Sequence, residues 1–195
     1  MQYSEGQLGR VFVVRIDDGE DFLAEMQKFV SIKEIHAGSI LFLGAFRNGR
    51  MVTGPEKPVI PPEPHYVIFE GGWETFGIAT IYPGDKGPSI HYHTSVGRAG
   101  HALTGCLREK ATTYLLVEAV ILEFTGLNIR RTFDEKMQVN LPKADPGTEA
   151  PEQKPVQDIP KKVSETTDKE KKEDSDDLPG GLADIIRDLT RRPPT

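Results

Sequence analysis

His91 and His93 stand one residue apart in the run Ser-Ile-His-Tyr-His-Thr, and His101 follows in Gly100-His101-Ala102. In an extended chain, side chains at i and i+2 leave the same face, so His-x-His sets two imidazoles side by side. The segment Gly97-Arg98-Ala99-Gly100 lets the backbone reverse and carry a third imidazole back toward them. Three neutral imidazoles on one wall suit Zn²⁺ and leave one coordination position open. The chain has only five histidines, and three of them fall between positions 91 and 101. Spacing alone leaves two readings open: a metal site, or three unrelated histidines on a partly exposed strand and turn.

The elements that must position these residues are mostly strands. Residues 9–16 are β-branched and aromatic and predict a first strand. An acidic turn follows, with Asp18 as the expected N-cap. Phe22, Leu23, Met26, Phe29 and Val30 then recur at helical spacing and predict an amphipathic helix over 20–33. A second strand is expected at 36–46, and Asn48-Gly49 after it is a hairpin signal. The Pro-rich run 54–64 reads as an exposed connection. Further strands are expected at 65–70, 75–82, 89–96 and 112–124, with shorter ones at 129–133 and 137–141. In 112–124 the spacing of Leu115, Leu116, Ala119, Val120 and Leu122 also fits a helix, but the β-branched residues and Gly126 favour a strand. One early helix and many antiparallel strands make an α+β domain, with the helix packed on one sheet face.

The expected domain runs over residues 8–141. From 142 to 178 the chain is Pro, Glu, Lys, Asp, Ser and Thr with almost no large apolar residue, the composition of a disordered linker. In the tail, 179–195, the aliphatic residues Leu182, Ile185, Ile186 and Leu189 recur at helical spacing in a segment too short to be stable alone. It reads as a docking peptide for an unknown protein partner or for its own assembly. Acidic residues outnumber basic ones both before position 143 (17 to 14) and from it onward (13 to 10), and the net charge is −6. Such a balance disfavours a DNA-binding surface, which needs clustered cations. The single cysteine, Cys106, excludes an internal disulfide and fits a reducing compartment; among Leu103, Thr104, Gly105 and Leu107 it reads as a small buried hydrophobe. No stretch is apolar enough to span a bilayer, and a soluble, cytoplasmic protein is expected. Phosphate loops, a serine elbow and Cys-x-x-Cys pairs are all missing, which leaves the nucleotide-dependent classes without support.

Several segments share their order with a known family. They are Asp18-Gly19-Glu20-Asp21-Phe22 at the helix start, His36-Ala37-Gly38-Ser39 through Leu43-Gly44-Ala45, Ile90-His91-Tyr92-His93, Gly100-His101-Ala102-Leu103-Thr104-Gly105-Cys106, Glu118-Ala119-Val120, Glu123-Phe124-Thr125-Gly126 and Arg130-Arg131. Over about residues 9–141 the chain resembles the plants-and-prokaryotes-conserved (PPC) domain family, in its prokaryotic form without an AT-hook. The resemblance implies a mainly antiparallel α+β domain assembling as a homotrimer. It also implies a metal, Zn²⁺ or another divalent transition ion, on His91, His93 and His101. Family members carry a DNA-binding label, but the Arg-Gly-Arg-Pro core that reads A·T-rich minor grooves is absent here.

Two classes of function follow. One is a metal-binding PPC-like protein, DNA-associated or regulatory. The other is a zinc-dependent enzyme or small-ligand binder that uses the open metal position as a Lewis acid. Glu118 is a candidate fourth ligand or orienting acceptor, Glu118 and Glu109 are candidate bases, and Arg98 is a candidate contact for an anionic ligand.

Overall fold

The computed structural model describes residues 1–144, so the expected linker beyond 144 and the amphipathic tail lie outside the described residues. The elements are β1 (Gln7–Asp17), α1 (Phe22–Ile32), β2 (Gly38–Thr53), β3 (His65–Gly84), β4 (Gly87–Arg98), β5 (His101–Thr125), β6 (Ile129–Asp134) and β7 (Val139–Ala144). All ladders are antiparallel. Five strands lie in the order β1-β5-β2-β3-β4, and β4 pairs back onto β5, so the sheet curls into a barrel-like form. β6 and β7 make a separate two-stranded ribbon. The expected α+β class, with one helix on a mainly antiparallel sheet, is what the described residues adopt.

The helix fills the concave side. Phe22, Met26 and Val30 recur every four residues and are fully buried, together with Ile35, Ile40, Phe46, Ile81, Val117 and Ile121. Phe22 meets Phe42 and Tyr92 at ring-centroid distances of 4.7 and 5.6 Å, joining α1 to β2 and β4. Its N-cap is Asp21, not Asp18: the Asp21 carboxylate accepts from the N–H groups of Leu23 and Ala24. Asp18 is taken up elsewhere. It accepts from the Leu115 N–H at 2.9 Å and from the Arg47 guanidinium, and these bonds hold its pKa below the usual carboxylate range.

Several boundaries differ from expectation. Asn48-Gly49 does not turn; β2 runs through it, with irregular register on both sides. The Thr112 hydroxyl donates to the Asn48 side-chain oxygen, and a Cβ on Gly49 would overlap the Phe69 ring. Gly49 therefore serves close packing inside a strand, and the chain reverses in the Pro-rich segment instead. The strands expected at 65–70 and 75–82 are one strand, β3, with a register shift near Gly71-Gly72. The domain also continues past 141, because Pro142, Lys143 and Ala144 pair with β6.

The strand expected at 112–124 is longer: β5 runs from His101 to Thr125, and it bends. Glu109 and Leu115 have positive φ (63° and 61°), a conformation costly for side chains of this size. The bends let its first part pair with β4, its middle with β2 and its last part with β1 and β2. At the far end Glu123 is 8 % exposed and accepts from the Arg10 Nε and Nη2 at 2.6 Å each. Arg10 also donates to the Lys33 carbonyl at the end of α1, so one guanidinium ties β1, β5 and the helix.

Arg10→Ala should lower unfolding stability by about 1–2 kcal/mol, because it strands a mostly buried carboxylate while losing a half-exposed partner. The Arg10 hydrogen bonds hold the Glu123 pKa below its ordinary value. That contribution is therefore present above the ordinary carboxylate pKa and lost as pH falls through the lowered, folded-state value. Urea unfolding of wild type and variant between neutral and acid pH should show the gap closing at low pH.

Candidate metal centre

The β4–β5 hairpin determines which side chains meet. Arg98 and His101 are its last pair, and Ala99 and Gly100 between them both have positive φ (47° and 82°). That is the signature of a two-residue type I′ turn. Five residues out on each side, His93 on β4 faces Cys106 on β5 directly. Gly105, beside Cys106, has no room for a Cβ against the Val52 carbonyl, so only glycine lets β2 close on β5 at this point.

Alternation along β4 does the rest. Tyr92 points inward, 6 % exposed, against Phe22 and Phe42. Thr94 is also buried and bonds the Thr75 hydroxyl at 2.7 Å and the Phe76 carbonyl at 2.8 Å. With Tyr92 and Thr94 anchored in the core, His91 and His93 must point outward on one face. Their rings lie 4.9 Å apart at 83°. Both Nε2 atoms converge on one sulfur, at 2.8 Å for His93 and 3.3 Å for His91 from the Cys106 Sγ.

Two imidazoles and a thiol, with ligand atoms all within 4.8 Å of one another, are a transition-metal donor set. A tetrahedral zinc with Zn–S of about 2.3 Å and Zn–N of about 2.0–2.1 Å sets sulfur and nitrogen about 3.5 Å apart. The observed separations need only small side-chain adjustments to admit such an ion. His91 is the more enclosed imidazole. Burial, and then the positive charge of Arg131 with His93 and Arg108, lowers its pKa to about 4. Its lone pair is thus kept free of protons, the form a ligand requires.

The Plants and Prokaryotes Conserved (PCC) domain model matches residues 3–125. The chain belongs to this family. Among solved structures, the metal-containing protein of Archaeoglobus fulgidus matches with a TM-score of 0.65 at 25% identity, covering 72% of this chain and 98% of that one. A plant- and prokaryote-conserved (PPC) protein of Pyrococcus horikoshii matches with a TM-score of 0.63 at 22% identity, covering 72% and 96%. A Bacteroides thetaiotaomicron protein described as a putative DNA-binding protein matches with a TM-score of 0.61 at 23% identity, covering 73% and 97%. No curated protein matches the chain.

Within this PCC domain the candidate residues separate. His91 and His93 come together; His101 stands on the hairpin turn opposite Arg98. Five residues of strand divide His101 from the level of His93, about 16 Å at ~3.3 Å per residue. The third donor beside the two imidazoles in this chain is Cys106, and it is half-buried, not a core residue. Its signal was in the sequence: once the reversal is placed at Ala99-Gly100, Cys106 is the residue across from His93. Glu118 is exposed, between Arg15 and Leu43, with β2 and β3 separating it from β4. At ~4.8 Å per strand that is about 14 Å from the centre. Glu109 is taken by an ion pair with Arg50. Arg98 donates to the Glu70 carbonyl at 3.1 Å, away from His91 and His93.

In metal-free protein the His91 ring should stay neutral as pH falls until about 4. The unfolded chain takes up its proton first, near 6.5, so stability should decline as pH drops from about 6.5 toward about 4. Imidazole nitrogen shifts in a long-range ¹H–¹⁵N spectrum check the first statement, and urea midpoints across that window check the second.

Proposed function

We propose that this PCC-family protein is a metal-dependent small-ligand-binding protein, with His91, His93 and Cys106 holding a divalent transition ion, zinc in the first place. The observation that carries the reading is the convergence of both Nε2 atoms on the Cys106 Sγ. Three protein donors leave a coordination position for a ligand, which distinguishes such a centre from closed four-ligand structural sites. When bound, the ion supplies Lewis acidity. The chain's own contributions are to keep His91 neutral through burial, to fix the outward direction of both imidazoles through Tyr92 and Thr94, and to give up the Cys106 proton on metal uptake. The candidate carboxylate bases stand away from the histidines, and this favours ligand binding over hydrolytic chemistry. A cytoplasmic location, where the thiol stays reduced, belongs to the same reading.

The reading includes a homotrimer. Its support in the fold is an exposed apolar face: Val13, Leu41 and Ile78 lie in one row across the strands, Leu43 and Phe76 in the next, and His93 follows Ile78 in the first. Phe76 is 70% exposed and Val13 79% exposed. A contiguous apolar face of this kind marks an association surface. DNA association draws on the descriptions of solved relatives, the Bacteroides protein among them, and the net charge of −6 works against it.

Elemental analysis of tag-free protein should give close to one equivalent of transition metal per chain. His91→Ala, His93→Ala and Cys106→Ala should each lose it, while His101→Ala keeps it. Less than about a tenth of an equivalent, with no uptake on titration, would remove the metal reading. Loss in His101→Ala with retention in Cys106→Ala would replace Cys106 by His101.

For the assembly, sedimentation of the full chain should give the trimer mass, and Phe76→Glu should shift it toward monomer by placing a charge in the apolar face. A monomer mass for wild type across micromolar concentrations would refute the trimer.

A further inference from the structure

Arg131 has no place in the metal reading, yet it is one of the most enclosed charged side chains among the described residues. It lies on β6, is 7% exposed, and donates from Nη2 to the Thr80 hydroxyl at 2.8 Å. The Tyr82 ring covers it at 5.6 Å. Its Nε is buried with no hydrogen-bond partner, and among the described residues no carboxylate forms an ion pair with it. The neighbouring Arg130 takes Asp85 instead, at 3.3 Å. A guanidinium does not shed its charge by losing a proton in a protein. A buried cation with an unmade hydrogen bond therefore calls for an anion.

A cavity of about 480 Å³ lies beside it, lined by Arg131 with Lys86, Ser89, Asn140 and Gln27; its one carboxylate, Asp85, is the group held by Arg130. The cavity is about half open to solvent, and its volume is within the range of small-ligand sites, roughly 300–1,000 Å³. Ser89 precedes His91 by two residues and shares its face of β4, and Thr80, which holds Arg131, is the cross-strand partner of His91. The cavity thus opens next to the metal centre while using none of its donors.

We propose that this cavity is a binding site for a small oxyanion, a phosphate or carboxylate group, received by Arg131 with Lys86 and Asn140. A guanidinium suits either group because its planar fork matches paired oxygens. The site stands on the buried guanidinium and its cavity, so it does not require the ion.

The test is calorimetric titration of the full-length protein with inorganic phosphate and with succinate, at constant ionic strength set by chloride. It is run on metal-loaded and on chelator-treated protein. Saturable binding of either anion, kept after metal removal, is expected, and the tighter of the two identifies the group as phosphoryl or carboxylate. Arg131→Gln should weaken binding by about tenfold or more, the loss of a charge-assisted contact. Lys86→Ala and Asn140→Ala, on the cavity rim, should each weaken it severalfold while leaving circular dichroism unchanged. Failure of both anions to saturate, or rim variants that bind as wild type does, would overturn the site. So would binding that disappears with the metal, which places the anion on the ion. If Arg131→Gln does not fold, the two rim variants decide. Failure of metal uptake alone leaves the inference standing.

Discussion

Closure of the sheet through β5 is the constraint on which the rest of the structure depends. One strand meets β4 at its start, β2 along its middle and β1 at its end. β4 and β1 take separate stretches of β5, 101–106 and 116–125, while β2 pairs along 106–123, and the return of β4 onto β5 needs a curled sheet rather than a flat one. The bends fall at Glu109 and Leu115, both with positive φ, and the Leu115 N–H is held by the Asp18 carboxylate. Local backbone strain of about 1–3 kcal/mol at each bend is offset by the pairing and burial that closure brings. The curled sheet gives α1 a concave surface on which to bury Phe22, Met26 and Val30.

The cluster of His91, His93 and Cys106 follows from that closure and from strand alternation. The hairpin sets Cys106 against His93, and the core anchors Tyr92 and Thr94 set the imidazoles outward. The ribbon of β6 and β7 adds Arg131 beside Thr80, and this charge together with enclosure keeps His91 unprotonated. Burial has opposite consequences at the two groups. The imidazole responds by favouring its neutral form, while the guanidinium stays charged and has no ion-pair partner among the described residues. A neutral imidazole and a guanidinium without an ion-pair partner among the described residues thus stand on neighbouring elements, Arg131 bonding the cross-strand partner of His91.

The family relation concerns the scaffold. Solved relatives at 22–25% identity keep the architecture with TM-scores of 0.61–0.65, so the fold tolerates extensive change in side chains. Activity resides in the site that a given chain builds on it. In this chain the site pairs two histidines with a cysteine, and the apolar row through Leu41 and Ile78 ends at one of those histidines. An oligomer formed on that face would bring subunit contacts close to the centre.

Much of this was determined by sequence pattern alone. The helix at Phe22–Ile32 follows from its apolar spacing, the strand character of β4 and of the second half of β5 from their β-branched residues, and the pairing of His91 with His93 from the two-residue period. These are local properties, set by backbone geometry within a few residues. What the tertiary structure decided was non-local. Asn48-Gly49 carries a hairpin signal, but pairing with β3 and β5 and packing on Phe69 hold it extended. Asp18 has the chemistry of a helix cap, but a bend nearly a hundred residues away claims its carboxylate. Cys106 rather than His101 stands beside the imidazoles because register is counted outward from the turn, and the turn is centred on Ala99-Gly100. The sequence determined which residue types were present for chemistry; the register of a closed sheet, a property of the whole chain, decided which of them meet.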